Sequence, residues 1–424
     1  MKTLLGIVWL AVLCTSCHHD EDIVKDANGV AVKLPHLWYT SLSNNKELIE
    51  VVTAAQIVYN KTKVVVGANK DNKRYLAGLD IETGKVDWMW GDLLGLRSNP
   101  NYPDPLSIKE DKYHLFNEDL IFMCGSSTYC TNLGTGQTVW KHKINLNRFD
   151  MCAGLNNLFF NSGGTDNSLL GEELYVGKIV GDPFEKEVVR PVYDRSGYDE
   201  QSQSYGSIRR ILPFVVSGDT LLSILFVDPA KKDHLYQTAM GLYNYTQKKW
   251  VYERAILNGP SQFSNVTWAK LYNGRVYHTS DRSMHCHDVL TGEEIWSVPF
   301  LQGFSLSGFT IADGKIFTTN SDRYTYCLDP NTGRQIWKEE SSGSSSPISY
   351  LNGVLYFLGG GDGKLHAIDA NTGQHLWRLD SPDKAKDSGA FFYGVCVAVP
   401  GQGGNKGRIV AMTGLGAYGY EAIR

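Results

Sequence analysis

The sequence of 424 residues has no marked excess of charge: 41 basic residues stand against 45 acidic ones, a formal net charge of −4. So small and mixed a charge removes the electrostatic case for nucleic acid, which needs a basic patch or stripe. Long apolar runs are also missing, apart from one near the N-terminus, so no segment of the body is expected to span a membrane as a helix. Cysteine is sparse, 8 in all, and no two are adjacent. Against these absences stand 43 glycines, 23 tyrosines and 10 tryptophans, a composition that favours short strands, tight turns and aromatic packing. The length suits either two or three ordinary domains or one large repeat architecture, and 42% hydrophobic residues is enough for a sizeable core.

Internal repetition decides between them, with a period of about 40 residues. Four segments keep one frame: Asp80 to Thr83-Gly84 and Trp88, Asp288 to Thr291-Gly292 and Trp296, Asp329 to Thr332-Gly333 and Trp337, and Asp369 to Thr372-Gly373 and Trp377. A fifth, Asn132 to Thr135-Gly136 and Trp140, has Asn for Asp. A weaker sixth ends at Trp250, one residue short and without the glycine. The Asp or Asn side chain accepts hydrogen bonds from turn amides and the Thr hydroxyl, closing the turn. The glycine supplies a positive φ. The Trp then falls on the returning strand, where its area is best buried against a neighbouring unit. A small residue recurs five positions before each Thr (Gly78, Cys130, Cys286, Cys327, Ala367) and is expected to mark a tight contact between stacked sheets. Upstream, Asn273-Gly274, Asp313-Gly314 and Asn352-Gly353 join apolar runs as hairpins. Each unit therefore reads as four antiparallel strands, the blade of a propeller, with a flat solenoid as the competing repeat class.

The pattern Ala-x-Asp-x-x-Thr-Gly-x-x-x-Trp, complete from Ala367 to Trp377, resembles the repeat of pyrroloquinoline-quinone-type propellers. That family includes quinoprotein dehydrogenases and the propeller lipoprotein of the outer-membrane barrel-assembly machinery. The resemblance covers residues 36–424 and implies an all-β propeller. Eight blades are expected, because about 110 residues separate Trp140 from Trp250 and leave room for two, one without its Trp. Seven follow if that stretch holds only one. The final segment from Phe391 to Ala422 lacks a Trp strand, and Pro35 to Thr40, carrying Trp38, supplies a spare one. Pairing the two closes the ring and leaves no free end.

Quinoprotein dehydrogenases of this fold stack their cofactor between a Trp and a disulfide of adjacent cysteines, beside a calcium held by acidic and amide groups. Here there is no adjacent pair and no haem motif in the body, and each Trp has a structural position in the repeat. The expectation is no cofactor, no catalytic residue and no enzyme, with a quinone-dependent oxidoreductase as the redox alternative.

The N-terminus reads as a targeting segment. Lys2 precedes an apolar run from Leu4 to Leu13, too short for a stable span but suited to a signal peptide. Leu13-Cys14-Thr15-Ser16-Cys17 resembles a bacterial lipobox, which makes residues 1–16 the signal peptide and Cys17 the lipidated residue. The stretch Cys14 to His18 also matches C-x-x-C-H, a haem attachment motif, but signal cleavage would remove one of its thiols. Residues 17–35 read as an acidic and polar tether, and the acidic patch after Cys17 resembles the export signal of lipoproteins in the Bacteroidetes group. The expected location is the outer membrane, on its periplasmic or outer face, held by lipid.

Three further features bear on function. Cys124 and Cys130 suit a disulfide across a hairpin, or two buried thiols. His285 and His287 share one strand face near His278; the other repeats place Tyr129, Tyr326 and His366, or Leu79, Leu328 and Ile368, at these positions, so packing is favoured over a metal site. The frame is interrupted at 91–112, 161–173 and 192–210. The last interruption carries Tyr193, Arg195, Tyr198, Tyr205, Arg209 and Arg210, residue types that anchor interfaces. A scaffold that binds protein partners is the leading reading. A glycan or small-molecule binder of an uptake system is the alternative, with sugars stacking on exposed aromatics.

Overall fold

The computed structural model describes residues 24–25, 31–32, 34–43, 57–71, 73–95, 99, 101–104, 106, 108, 112–125, 127–143, 149–164, 171–180, 187–197, 206–231, 235–261, 266–280, 282–304, 308–343, 345–385 and 391–424. These form eight four-stranded antiparallel sheets arranged as the blades of a propeller. In chain order the blades span 57–90, 113–143, 149–189, 207–261, 266–299, 309–340, 349–379 and 392–421. The only helical turn among the described residues is Pro382–Ala385, and no helix there is long and apolar enough to cross a membrane. The proposed signal segment and most of the tether lie outside the described residues, although Val24–Lys25 pairs with Ala31–Val32.

The eighth blade takes its outer strand from the other end of the chain. Trp38–Ser41 pairs with Gly416–Glu421, setting Trp38 opposite Gly419 and Ser41 opposite Gly416. Trp38, Val64, Val66, Val397, Val410 and Met412 then share one apolar layer, which joins the last blade to the first. From the helical turn before the eighth blade, the buried Asp383 accepts hydrogen bonds from the Thr413 and Tyr418 hydroxyls of that blade, each at 2.7 Å. The expectation of eight blades and an N-terminal closing strand holds.

The turn chemistry is as expected. Asp80 Oδ1 accepts from the Thr83 amide at 2.8 Å and its hydroxyl at 2.7 Å, and Asp329, Asp369 and Asn132 repeat both bonds. Asp288 accepts from the Leu290 and Thr291 amides. The hairpins at Asn273-Gly274, Asp313-Gly314 and Asn352-Gly353 have positive φ at both residues, the two-residue turn whose twist matches the strands.

The Trp seams between blades depend on both the turn and the glycine. Trp38 Nε1 donates to Ile81 O, Trp88 to Leu133 O, Trp296 to Pro330 O and Trp337 to Ala370 O, at 2.9 to 3.1 Å. In each case the acceptor follows the turn Asp or Asn of the next blade. Gly84 has φ +71, and a Cβ there would come within 2.3 Å of the Trp38 ring. Gly373 faces Trp337 in the same way, at 2.8 Å. The glycine is needed twice, for its backbone and for the indole lying on it.

The recurring small residue answers to a different contact from the one expected. Gly78, Cys130, Cys286, Cys327 and Ala367 each pair across the strand with the Trp of their own blade. A Cβ on Gly78 would stand 2.3 Å from Trp88. The constraint is therefore the indole folded over its own sheet on the way to the next one.

Candidate functional site

The described parts of the 192–210 interruption, 192–197 and 206–210, are tied to the fourth blade, whose first strand begins at Ser207. Tyr193 is half-buried, wedged where a Cβ on Gly171 or Gly206 would stand 2.6 or 2.4 Å from its ring. Its hydroxyl donates to Glu172 O at 2.9 Å, and the ring meets Phe226 edge-on at 5.3 Å. Burial pushes the Tyr193 hydroxyl pKa well above its ordinary value. Asp228, fully buried, receives the Asp194 amide at 2.9 Å and a two-pronged ion pair from Arg254, which also donates to Val192 O. Asp194 is held down at about 2, chiefly by the Ser196 amide.

The six residues singled out on this segment therefore do not form one surface. Tyr193 is a core pin. Arg210 lies over the Trp268 ring at 5.4 Å, across the seam to the fifth blade, and Arg209 is half-buried with its Nε enclosed. Arg195 is exposed, while Tyr198 and Tyr205 lie outside the described residues. Of the six, Arg195 alone among the described residues stands at the surface with its neighbours Ser196 and Gly197 exposed beside it.

The interruption at 91–112 is likewise partly core. Leu106 and Ile108 are buried with Phe122 and Tyr129. Tyr129 donates to the buried Asp104 at 3.0 Å and accepts from the Leu94 amide at 3.0 Å. This segment packs on the second blade and is not simply a solvated connection.

The outer strands carry a feature that the frame shows only in hindsight. Leu37, Val139, Ile295 and Ile336 each precede a Trp of the repeat, and each is exposed. The Trp faces the next blade, so its neighbour on a two-residue period turns to solvent. The outermost strand of each sheet has an unpaired edge, and exposed apolar side chains beside such an edge suit pairing with an added strand.

One open alternative is decided, for the buried thiols, and one sequence expectation needs correcting. Cys124 stands opposite Ser127 and Cys130 opposite Ile121, so the two sulphurs do not face each other and both are thiols. Trp250 is not the docking residue of its blade. It meets Tyr243 edge-on at 5.2 Å, while Tyr252 donates to Val289 O at 3.0 Å and, with Ala255, covers Gly292. The turn keeps its full length, with Asn244 in the place of Asp80 and Lys248 at positive φ in that of Gly84, so Tyr252 falls in the Trp register opposite Leu242, while Trp250, two residues earlier, packs with the third and fourth blades.

A quinone site finds no support in these side chains. Burial pushes the Cys130 and Cys327 thiols up to about 12 and Cys286 to about 11, so all three stay protonated beneath their Trp partners. The one cluster of three metal-ligating side chains among the described residues is His278, His285 and His287. Imidazoles do not suit calcium, which takes oxygen ligands. These buried thiols and imidazoles do not fit the adjacent-cysteine stack and oxygen-held calcium of a quinoprotein dehydrogenase.

Residues 273–415 match the family model described as outer membrane protein assembly factor BamB. No curated protein matches the chain. Among solved structures, a europium-containing methanol dehydrogenase is 12% identical with a TM-score of 0.60, over 91% of this chain and 85% of that one. The quinohemoprotein alcohol dehydrogenase of Comamonas testosteroni is 11% identical with a TM-score of 0.60, over 92% of this chain and 76% of that one. BamB from Moraxella catarrhalis is 14% identical with a TM-score of 0.48, over 81% and 94%. The likeness to the two dehydrogenases is one of fold, and this fold hosts enzymes and assembly factors alike.

Proposed function

We propose that the chain is a non-enzymatic propeller scaffold, anchored by lipid on Cys17, that binds protein partners at the outer membrane in the assembly of barrel proteins. The match of residues 273–415 to the assembly-factor model carries this reading. The exposed apolar side chains along the outer strands support it, because they offer unpaired edges to an extended polypeptide. In this reading residues 1–16 are removed on export, 17–35 form the tether, and 36–424 are the working propeller.

The test is affinity purification of the full lipidated chain through a C-terminal tag, from cross-linked and solubilised membranes. Barrel-assembly proteins are the expected company. Recovery of glycan-uptake proteins, or of none, overturns the proposal. Cys17→Ala is expected to move the chain from the membrane to the soluble fraction; a variant that stays on the membrane refutes the anchor.

A further inference from the structure

The fifth blade departs from the repeat at three positions that face the fourth. Elsewhere these positions carry packing side chains: Val66, Ala77 and Leu79 in the first blade, and Ala411, Tyr418 and Tyr420 in the eighth. Here they are His278, His285 and His287. His278 pairs directly across the strand with His285, and His287 lies two residues on, so all three share one face of the sheet. His287 stands opposite Val276, which packs with Leu225 and Met240 of the fourth blade. The rings of His278 and His285 are stacked at 4.7 Å, and those of His278 and His287 at 5.2 Å.

Packing explains the rings and leaves their nitrogens unexplained. His278 and His287 are both 0% exposed. Neither nitrogen of His278 has a hydrogen-bond partner, and Nε2 of His287 has none. A buried polar atom without a partner is costly, so a ring with both nitrogens buried and unpartnered, stacked between two further imidazoles, asks for a ligand. The other buried histidine at a matching position, His366, is answered by Asp362 at 3.0 Å. His366 holds the place of His285, which Glu294 meets in the same way at 2.9 Å, but nothing meets either nitrogen of His278.

We propose that His278, His285 and His287, with the Glu294 carboxylate at the rim, bind a divalent transition metal of the zinc class. One ligand nitrogen from each ring lies within 4.8 Å of the other two. Bonds of about 2.0–2.1 Å around a tetrahedral zinc bring nitrogens closer than that, so small side-chain rotations complete the site. Nδ1 of His287 meets Gly292 O at 3.3 Å, which places its proton there and presents Nε2 as a lone pair. Glu294 stands 2.9 Å from His285 Nδ1 and 3.9 Å from His287 Nε2, positioned to be the fourth ligand. Its side chain is 43% exposed, which gives the ion a path in from the rim. Three imidazoles and one carboxylate suit zinc, copper(II) or nickel(II), whereas calcium and magnesium prefer oxygen. Four protein ligands make a closed site, which serves structure rather than chemistry. The metal would pin the outer three strands of one blade.

The repeat itself supplies the controls. Phe stands in the place of His278 in the second and seventh blades, as Phe122 and Phe357, and Leu stands in that of His287 in the first and sixth, as Leu79 and Leu328. His278→Phe and His287→Leu should therefore fold. The full chain, carrying a tag without histidine, is stripped with chelator and titrated with zinc, with magnesium in parallel. The wild type is expected to bind one more zinc equivalent than either variant, with affinity at that site lowered at least about 100-fold in the variants, beyond the usual effect of losing an outer-shell partner. His18 and His19 are common to all three proteins and cancel in the comparison. A cobalt-substituted wild type should show tetrahedral visible absorbance that the variants lack. Equal zinc binding by wild type and folded variants, or magnesium bound as tightly as zinc, overturns the proposal.

Discussion

The sixth and seventh blades differ from the third and fourth in how they hold their neighbours. Between the sixth and seventh, Trp337 donates to Ala370 O at 3.1 Å and lies on Gly373, whose own turn is closed by Asp369. Between the second and third, Trp140 has the same place in its blade, but the third blade has no Asp-x-x-Thr-Gly turn to receive it. Its Nε1 is buried without a partner, and its ring stacks on Phe159 at 5.9 Å. Where the frame is lost, buried ions do part of the work. Arg254 and Asp228 tie the 192 segment to the fourth blade, and Arg190 pairs with the buried Glu173. A seam made by one local motif is uniform, whereas a seam without it is assembled from separate contacts.

The largest expected effect tests that contrast directly. Trp337→Ala removes ring, hydrogen bond and glycine contact together and is expected to cost about 3–5 kcal/mol. Trp140→Ala should cost clearly less, because its nitrogen satisfies nothing. Denaturant midpoints of the two variants decide it, and equal losses would erase the difference between the seams. Next, Arg254→Met leaves Asp228 buried with its charge uncompensated and should cost about 3 kcal/mol in the same assay. The exposed pair of Lys63 with Asp87 should by comparison be worth less than about 1 kcal/mol.

Smaller effects sharpen the assignment of the fourth blade. Tyr252→Phe removes the bond to Val289 O and is expected to cost about 1 kcal/mol. Trp250→Phe should leave the contact with the fifth blade intact, read as unchanged hydrogen-exchange protection of Val289 and its neighbours. A last effect concerns acid. Burial lowers His375 to about 4, against about 6.5 unfolded, while its Nε2 donates to Glu340 O at 2.8 Å. Between those values the unfolded chain takes up a proton that the folded chain refuses. Stability should therefore fall as pH drops from about 6.5 to about 4 and level off below, and His375→Asn should flatten that slope.

Much of the fold was legible because its signals are local. The Asp, Thr and Gly of each turn sit within five residues, and their hydrogen bonds need nothing from elsewhere in the chain. The Asn-Gly hairpins are local in the same sense, and the unmatched Trp38 announced a strand looking for a sheet. The functional surface was much less legible. Tyr193 reads as an interface residue by type, but Gly171 from another segment and Gly206 from further along its own enclose its ring. The exposed Val139, Ile295 and Ile336 read as ordinary strand residues until the orientation of the neighbouring Trp is known.

By itself the sequence determined the repeat, the turn chemistry and the closure by an N-terminal strand, and narrowed the blade count to seven or eight. Each follows from short-range spacing or from a missing strand at one end and a spare one at the other. Only the tertiary structure decided which residue docks from the fourth blade, which small residue lies under which indole, and which imidazoles meet. These depend on cross-strand register, and a single bulge, as at Leu242 and Tyr243, reverses the face to which the following side chain points.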